Sequence, residues 1–77
     1  MRLMTADYLR EWAARNGLEI DWIRTIKCCM DTRVALLSAK DGTAIVESYE
    51  YPDTRTGKGW AMRDLRRRVN AMLEASE

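Results

Sequence analysis

Val34-Ala35-Leu36-Leu37-Ser38-Ala39-Lys40-Asp41-Gly42-Thr43-Ala44-Ile45-Val46 is the stretch that decides the fold. Apolar and small residues run up to Asp41-Gly42 and resume after it. An Asp-Gly pair between two such runs predicts a β-hairpin, because a tight primed turn needs φ > 0 at its central residues. A two-residue turn at Asp41-Gly42 sets Ala39 opposite Ala44, Leu37 opposite Val46 and Ala35 opposite Ser48.

Upstream, Ile20, Trp22, Ile26, Cys28 and Met30 alternate with Asp21, Ile23, Thr25, Lys27 and Cys29. This period of two predicts a further strand, with its turn at Asp31-Thr32. Ile26 then opposes Leu37 and Cys28 opposes Ala35. Side chains alternate between the faces of a sheet. One face collects Trp22, Ile26, Cys28, Ala35, Leu37, Ala39, Ala44 and Val46, a core. The other collects Ile23, Thr25, Lys27, Cys29, Val34, Leu36, Ser38, Ile45, Glu47 and Tyr49, with Tyr51 extending it. A one-residue slip would exchange the two faces.

Helices flank the strands. Thr5 is an N-cap signal, and Leu9, Trp12 and Ala13 repeat at helical spacing. Gly17 after Asn16 suits a left-handed C-cap, so the first helix spans about residues 6–16. The third strand is expected over 44–51, ended by Pro52. Residues 53–59 have the composition of a polar loop. A second helix is expected over 60–75, with Met62, Leu65, Val69, Met72 and Leu73 as its apolar stripe. The prediction is one α+β domain over 1–77, ordered α-β-β-β-α, with a three-stranded antiparallel sheet and both helices on one face.

The chain has 77 residues with 13 basic and 12 acidic side chains, so its net charge of +1 gives no general pull toward nucleic acid or anionic membranes. No apolar run has signal-peptide or membrane-spanning length, and a cytoplasmic location is expected. Histidine is absent, which removes the commonest general base and metal ligand. Cys28 and Cys29 are adjacent and lack zinc or redox spacing; Cys28 is expected in the core and Cys29 nearer solvent. Thr56-Gly57-Lys58-Gly59 resembles part of a phosphate-binding loop, but the glycine required five residues earlier is Pro52 and the following Ser or Thr is Gly59. No catalytic residue, cofactor or metal is expected.

Binding residues are expected instead. Arg63, Arg66 and Arg67 lie within two turns of the second helix, with Arg55 and Lys58 before them. Guanidinium groups of this kind grip phosphates or carboxylates. Asp64 is placed to pair with Arg68 at i,i+4. Trp60 is a candidate anchor, since tryptophan beside arginine is typical of binding hot spots. Val34, Leu36, Ile45, Tyr49 and Tyr51 form a second candidate surface on the outer sheet face.

The element order and Gly57-Lys58-Gly59-Trp60-Ala61-Met62-Arg63-Asp64-Leu65-Arg66 resemble a double-stranded RNA-binding domain. That family carries two helices on one face of a small sheet and touches phosphates with the start of its second helix. The resemblance implies RNA contacts at Lys58, Arg63, Arg66 and Arg67. Met62 stands where the family has another lysine, Arg68 and Val69 replace its alanine pair, and its Gly-Pro loop is absent. In size and organisation the chain also resembles small phage or mobile-element inhibitors of the anti-CRISPR type. That implies a non-catalytic protein docking on a protein or nucleoprotein complex, as a competitor of nucleic acid. A homodimer through the outer sheet face is the third expectation.

Overall fold

The computed structural model describes residues 5–27 and 30–75. Its elements are α1 (Ala6–Arg15), β1 (Leu18–Lys27), β2 (Met30–Ala39), β3 (Ala44–Glu47), β4 (Tyr51–Pro52) and α2 (Arg55–Ala75). The sheet is antiparallel, ordered β1-β2-β3, with β4 also paired to β2. The α+β class and the helix–strands–helix order match the sequence-based expectation.

Thr5 caps α1 as its position suggested. Its Oγ1 accepts the Tyr8 N–H at 3.1 Å. The helix stops where Gly17 takes φ of +70°. Leu9 and Ala13 are fully enclosed, and Trp12 packs partly against the same core.

The first hairpin differs from expectation. Trp22, not Cys28, lies across from Ala35, and Ile20, not Ile26, lies across from Leu37. β1 runs to Lys27 and β2 starts at Met30, so Asp31 and Thr32 belong to β2. Both residues are held there by partners distant in sequence. Arg24 donates to the Asp31 carboxylate, and the Asp53 N–H donates to the Asp31 carbonyl at 2.9 Å. The Thr32 hydroxyl donates to the Thr25 carbonyl at 3.3 Å. The displacement is an even number of residues, so each side chain keeps its face. Trp22, Ala35, Leu37 and Val46 still meet the core. Ile26 is the exception: it is 69% exposed and does not pack against the core. The expected places of Cys28 and Cys29 lie outside the described residues.

The second hairpin closes with three loop residues rather than two. Gly42 N–H donates to the Ala39 carbonyl at 2.9 Å and Ala39 N–H to the Thr43 carbonyl at 2.9 Å. Gly42 carries φ of +92°. This is the longer hairpin connection with a left-handed glycine at its end. The Asp41 carboxylate accepts the Thr43 N–H at 2.9 Å. Ala44 therefore faces Ser38 instead of Ala39, and a bulge restores Leu37 opposite Val46. Ala44 is exposed, not part of the core.

The third strand is also interrupted. Ser48 still sits beside Ala35, accepting its N–H on Oγ at 3.0 Å and donating its own N–H to the Ala35 carbonyl at 2.9 Å. Beyond it the chain leaves the sheet and returns only as β4, across from Thr32 and Arg33.

α2 begins five residues earlier than its composition suggests, at Arg55. Residues 55–59 are helix rather than loop. Thr54 is the reason: its Oγ1 accepts the Gly57 N–H at 2.9 Å, and its carbonyl accepts the Lys58 N–H at 2.9 Å. Gly57 is buried where the helix passes β4, and a Cβ there would collide with the Pro52 carbonyl. Ala61, Leu65 and Val69 then continue the buried face.

The two helical glycines should respond oppositely to alanine. Gly57→Ala forces backbone apart and is expected to lower the unfolding free energy by about 1–3 kcal/mol. A Cβ at Gly59 meets open space, so Gly59→Ala should raise it by roughly 0.5–1 kcal/mol. Urea denaturation of both variants checks the pair; equal effects would contradict the packing described.

Candidate functional site

α2 lies against β4 so that Trp60 meets Tyr51. The ring centroids are 6.3 Å apart with an interplanar angle of 75°, an edge-to-face contact. Trp60 nevertheless remains 56% exposed. Tyr51, Trp60, Arg63, Asp64 and Arg67 line a shallow recess of about 240 Å³. Positions 60, 63, 64 and 67 share one side of a helix, which is why the residues converge.

Asp64 fixes the recess floor. One carboxylate oxygen accepts the Tyr49 N–H at 2.8 Å and the Arg68 Nε–H at 3.2 Å. Arg68 in turn lies over the Tyr49 ring at 4.1 Å. Asp64 is therefore neutralised by Arg68, the i,i+4 partner expected from sequence. Among the described residues no carboxylate pairs with Arg63 or Arg67. The recess thus presents an exposed indole edge beside two uncompensated guanidinium groups.

The expected basic ridge is divided. Arg63 and Arg67 stand together at the recess. Lys58 is drawn toward Asp53, 3.8 Å away. Arg66 is only partly exposed, with Nε enclosed and lacking a hydrogen-bond partner. Arg55 is exposed in the first turn of α2.

The expected outer-face surface is also corrected. Tyr49 and Tyr51 do not lie on that face. Tyr51 is across from Arg33 and packs toward Trp60, while Tyr49 is held against α2 by Asp64 and Arg68. The break at Ser48 redirects both. Leu36 does face outward between Asp21 and Glu47, but it is 5% exposed and offers no contact area. Val34 is partly exposed and Ile45 is exposed.

A charge cluster not expected from sequence sits at the Arg24–Arg33 pair of β1 and β2, beside β4 and the first turn of α2. Arg24 and Arg33 are directly opposite, an arrangement that repels. Asp53 lies between them, with Oδ1 3.0 Å from Arg33 Nε and Oδ2 3.9 Å from Arg24 Nε. Asp31 takes the other side of Arg24. Arg33 above all, helped by Lys58 and Arg24, holds the Asp53 carboxyl below its ordinary value against the opposing effect of partial burial. Each member is unremarkable locally; only the hairpin register and the start of α2 join them. Among the described residues, no group of three or more Cys, Asp or Glu is placed to hold a metal ion, and no helix is long and apolar enough to cross a membrane.

Neither a protein-family model, a curated protein nor a solved structure matches this chain.

The Asp53 cluster makes stability depend on pH in a defined direction. A carboxyl whose folded pKa is depressed contributes stability that is present above its unfolded value, about 3.9. That contribution disappears as pH falls through the lower folded value. Thermal unfolding from neutral to acid pH should therefore show a loss beginning near the ordinary carboxylate range, and Asp53→Asn should reduce it. An unchanged acid limb in the variant would contradict the assignment.

Proposed function

We propose that this is a non-catalytic binding protein that docks on a protein or nucleoprotein surface and acts by occupying it. The observation that carries the reading is the half-exposed Trp60, held edge-on by Tyr51 beside Arg63 and Arg67. A rigid aromatic edge next to guanidinium groups supplies apolar area and directional hydrogen bonds at low ordering cost, which is the composition of interface hot spots. The uncompensated arginines favour a partner group bearing carboxylates or phosphates. Occupancy without chemistry is also the mode of the small phage-type, anti-CRISPR-like inhibitors that the chain resembles in size and organisation.

Arg63 and Arg67 keep nucleic acid in view as the partner surface, while Asp53, 3.8 Å from the half-exposed Lys58, competes with one of the phosphate contacts implied by the RNA-binding resemblance. Salt separates the two. Direct nucleic-acid binding weakens steeply as salt rises, by a slope close to the number of phosphates contacted. Protein docking anchored by Trp60 falls far less.

Affinity capture from cells that make the protein, followed by mass spectrometry, is the test. Trp60→Ala with Arg63→Glu and Arg67→Glu alters only exposed side chains and should abolish partner capture while leaving the circular dichroism spectrum intact. Capture retained in that triple variant would reject the recess as the docking site. A gel-shift titration with duplex RNA should show no binding at low salt; a tight, salt-sensitive complex would transfer the assignment to nucleic acid.

A further inference from the structure

β1 is the edge of the sheet: β2 pairs with it on one side and, among the described residues, no strand lies beyond it on the other. Ala35 determines which backbone groups point to that open edge. Its N–H and C=O are both directed at Ser48, so neither reaches Trp22 across the ladder. The N–H and C=O of Trp22 therefore point outward. The Trp22 N–H is met there by the Asp21 carboxylate at 2.9 Å. Antiparallel alternation makes Ile20, Arg24 and Ile26 present their backbone groups the same way.

We propose that a second copy of this chain pairs antiparallel along this edge, about a two-fold axis through Ile23, so that two sheets become one. Edge strands with outward donors and acceptors are templates for such addition, and here the exposed Asp21 carboxylate must release the Trp22 N–H as the second strand arrives. In this register Ile20 meets the second copy's Ile26, Trp22 meets its Arg24, and Ile23 meets its own counterpart. The residues with outward backbone groups thus pair with one another. Glu19 and Lys27, residues of opposite charge in the sequence, then take opposed register positions on both sides of the axis.

Helix cover supports the same arrangement. Ile20 and Trp22 pack against the core beneath the helices, whereas Ile26 on the same face is 69% exposed. Antiparallel pairing sets the bare end of one β1 against the covered end of the other. On the outer face, Ile23, 44% exposed in the single chain, becomes the centre of the junction. Neighbouring registers lose these matches. Centring on Arg24 opposes Arg24 to itself, and centring on Trp22 sets Asp21 against Ile23 and separates Glu19 from Lys27. The Trp60 recess lies on α2 beside β4 and stays open, so the pairing is independent of the docking proposal.

Sedimentation equilibrium of the whole chain over a dilution series tests this. The native chain should pass from its 8.9 kDa monomer to twice that mass as concentration rises. Glu19→Lys and Lys27→Glu each place like charges across the junction twice, and each should weaken the dimer roughly tenfold. The double exchange, Glu19→Lys with Lys27→Glu, should restore it. A monomer persisting to millimolar concentration would overturn the proposal. So would a dimer indifferent to the single exchanges or not rescued by the double one. A dimer lost in Val34→Lys but unchanged in Glu19→Lys would place the contact on the outer sheet face and overturn it as well.

Discussion

Ala35 is the residue through which the sheet is joined, and the other placements depend on it. It lies at the middle of β2, wholly enclosed, with Trp22 across one ladder and Ser48 across the other. Its backbone bonds go to Ser48 alone, which leaves the groups of Trp22 directed at the free edge. Its methyl group takes little room, so the helices pack closely over Leu37 and Trp22. Shifting Ala35 by one residue would invert β2 and carry Leu37 to the outer face.

The candidate surface follows from how the third strand fails. Ser48 replaces a ladder contact with a side-chain hydrogen bond, and its hydroxyl also donates to the Tyr49 carbonyl at 2.8 Å. The next residues turn toward α2, where the buried Asp64 receives the Tyr49 N–H. That exchange brings Tyr51 under Trp60. The same path delivers Pro52 and Asp53 to the start of α2, where Thr54 begins the helix and Gly57 permits the close crossing. Sheet break, helix start and aromatic recess are thus one structural event.

Much of this was legible in the residues, and the boundary is physical. The alternation in β1 and β2, the Thr5 cap and Gly17 are local signals, and they placed two helices on the correct face of the sheet. Asp31-Thr32 looks like a turn until Arg24 and Asp53 are beside it, and both residues lie within β2. Gly57 and Gly59 disguised the first turns of α2, since glycine disfavours helix and the compensation comes from packing on Pro52. Of the expected binding residues, Trp60, Arg63 and Arg67 come together by helical periodicity. Tyr49 and Tyr51 leave the outer face at the strand break, and Leu36 keeps that face but is covered by its neighbours; neither effect leaves a local trace in the sequence.

The pairing of β1 with β2 is the claim on which the faces, the exposed edge and the charge cluster all stand. Nuclear Overhauser contacts between α-protons report it directly, because they are strongest between directly opposed residues that do not exchange backbone hydrogen bonds. The arrangement described here requires strong contacts from Trp22 to Ala35 and from Ile20 to Leu37. Strong contacts from Cys28 to Ala35 and from Ile26 to Leu37 in their place would contradict it.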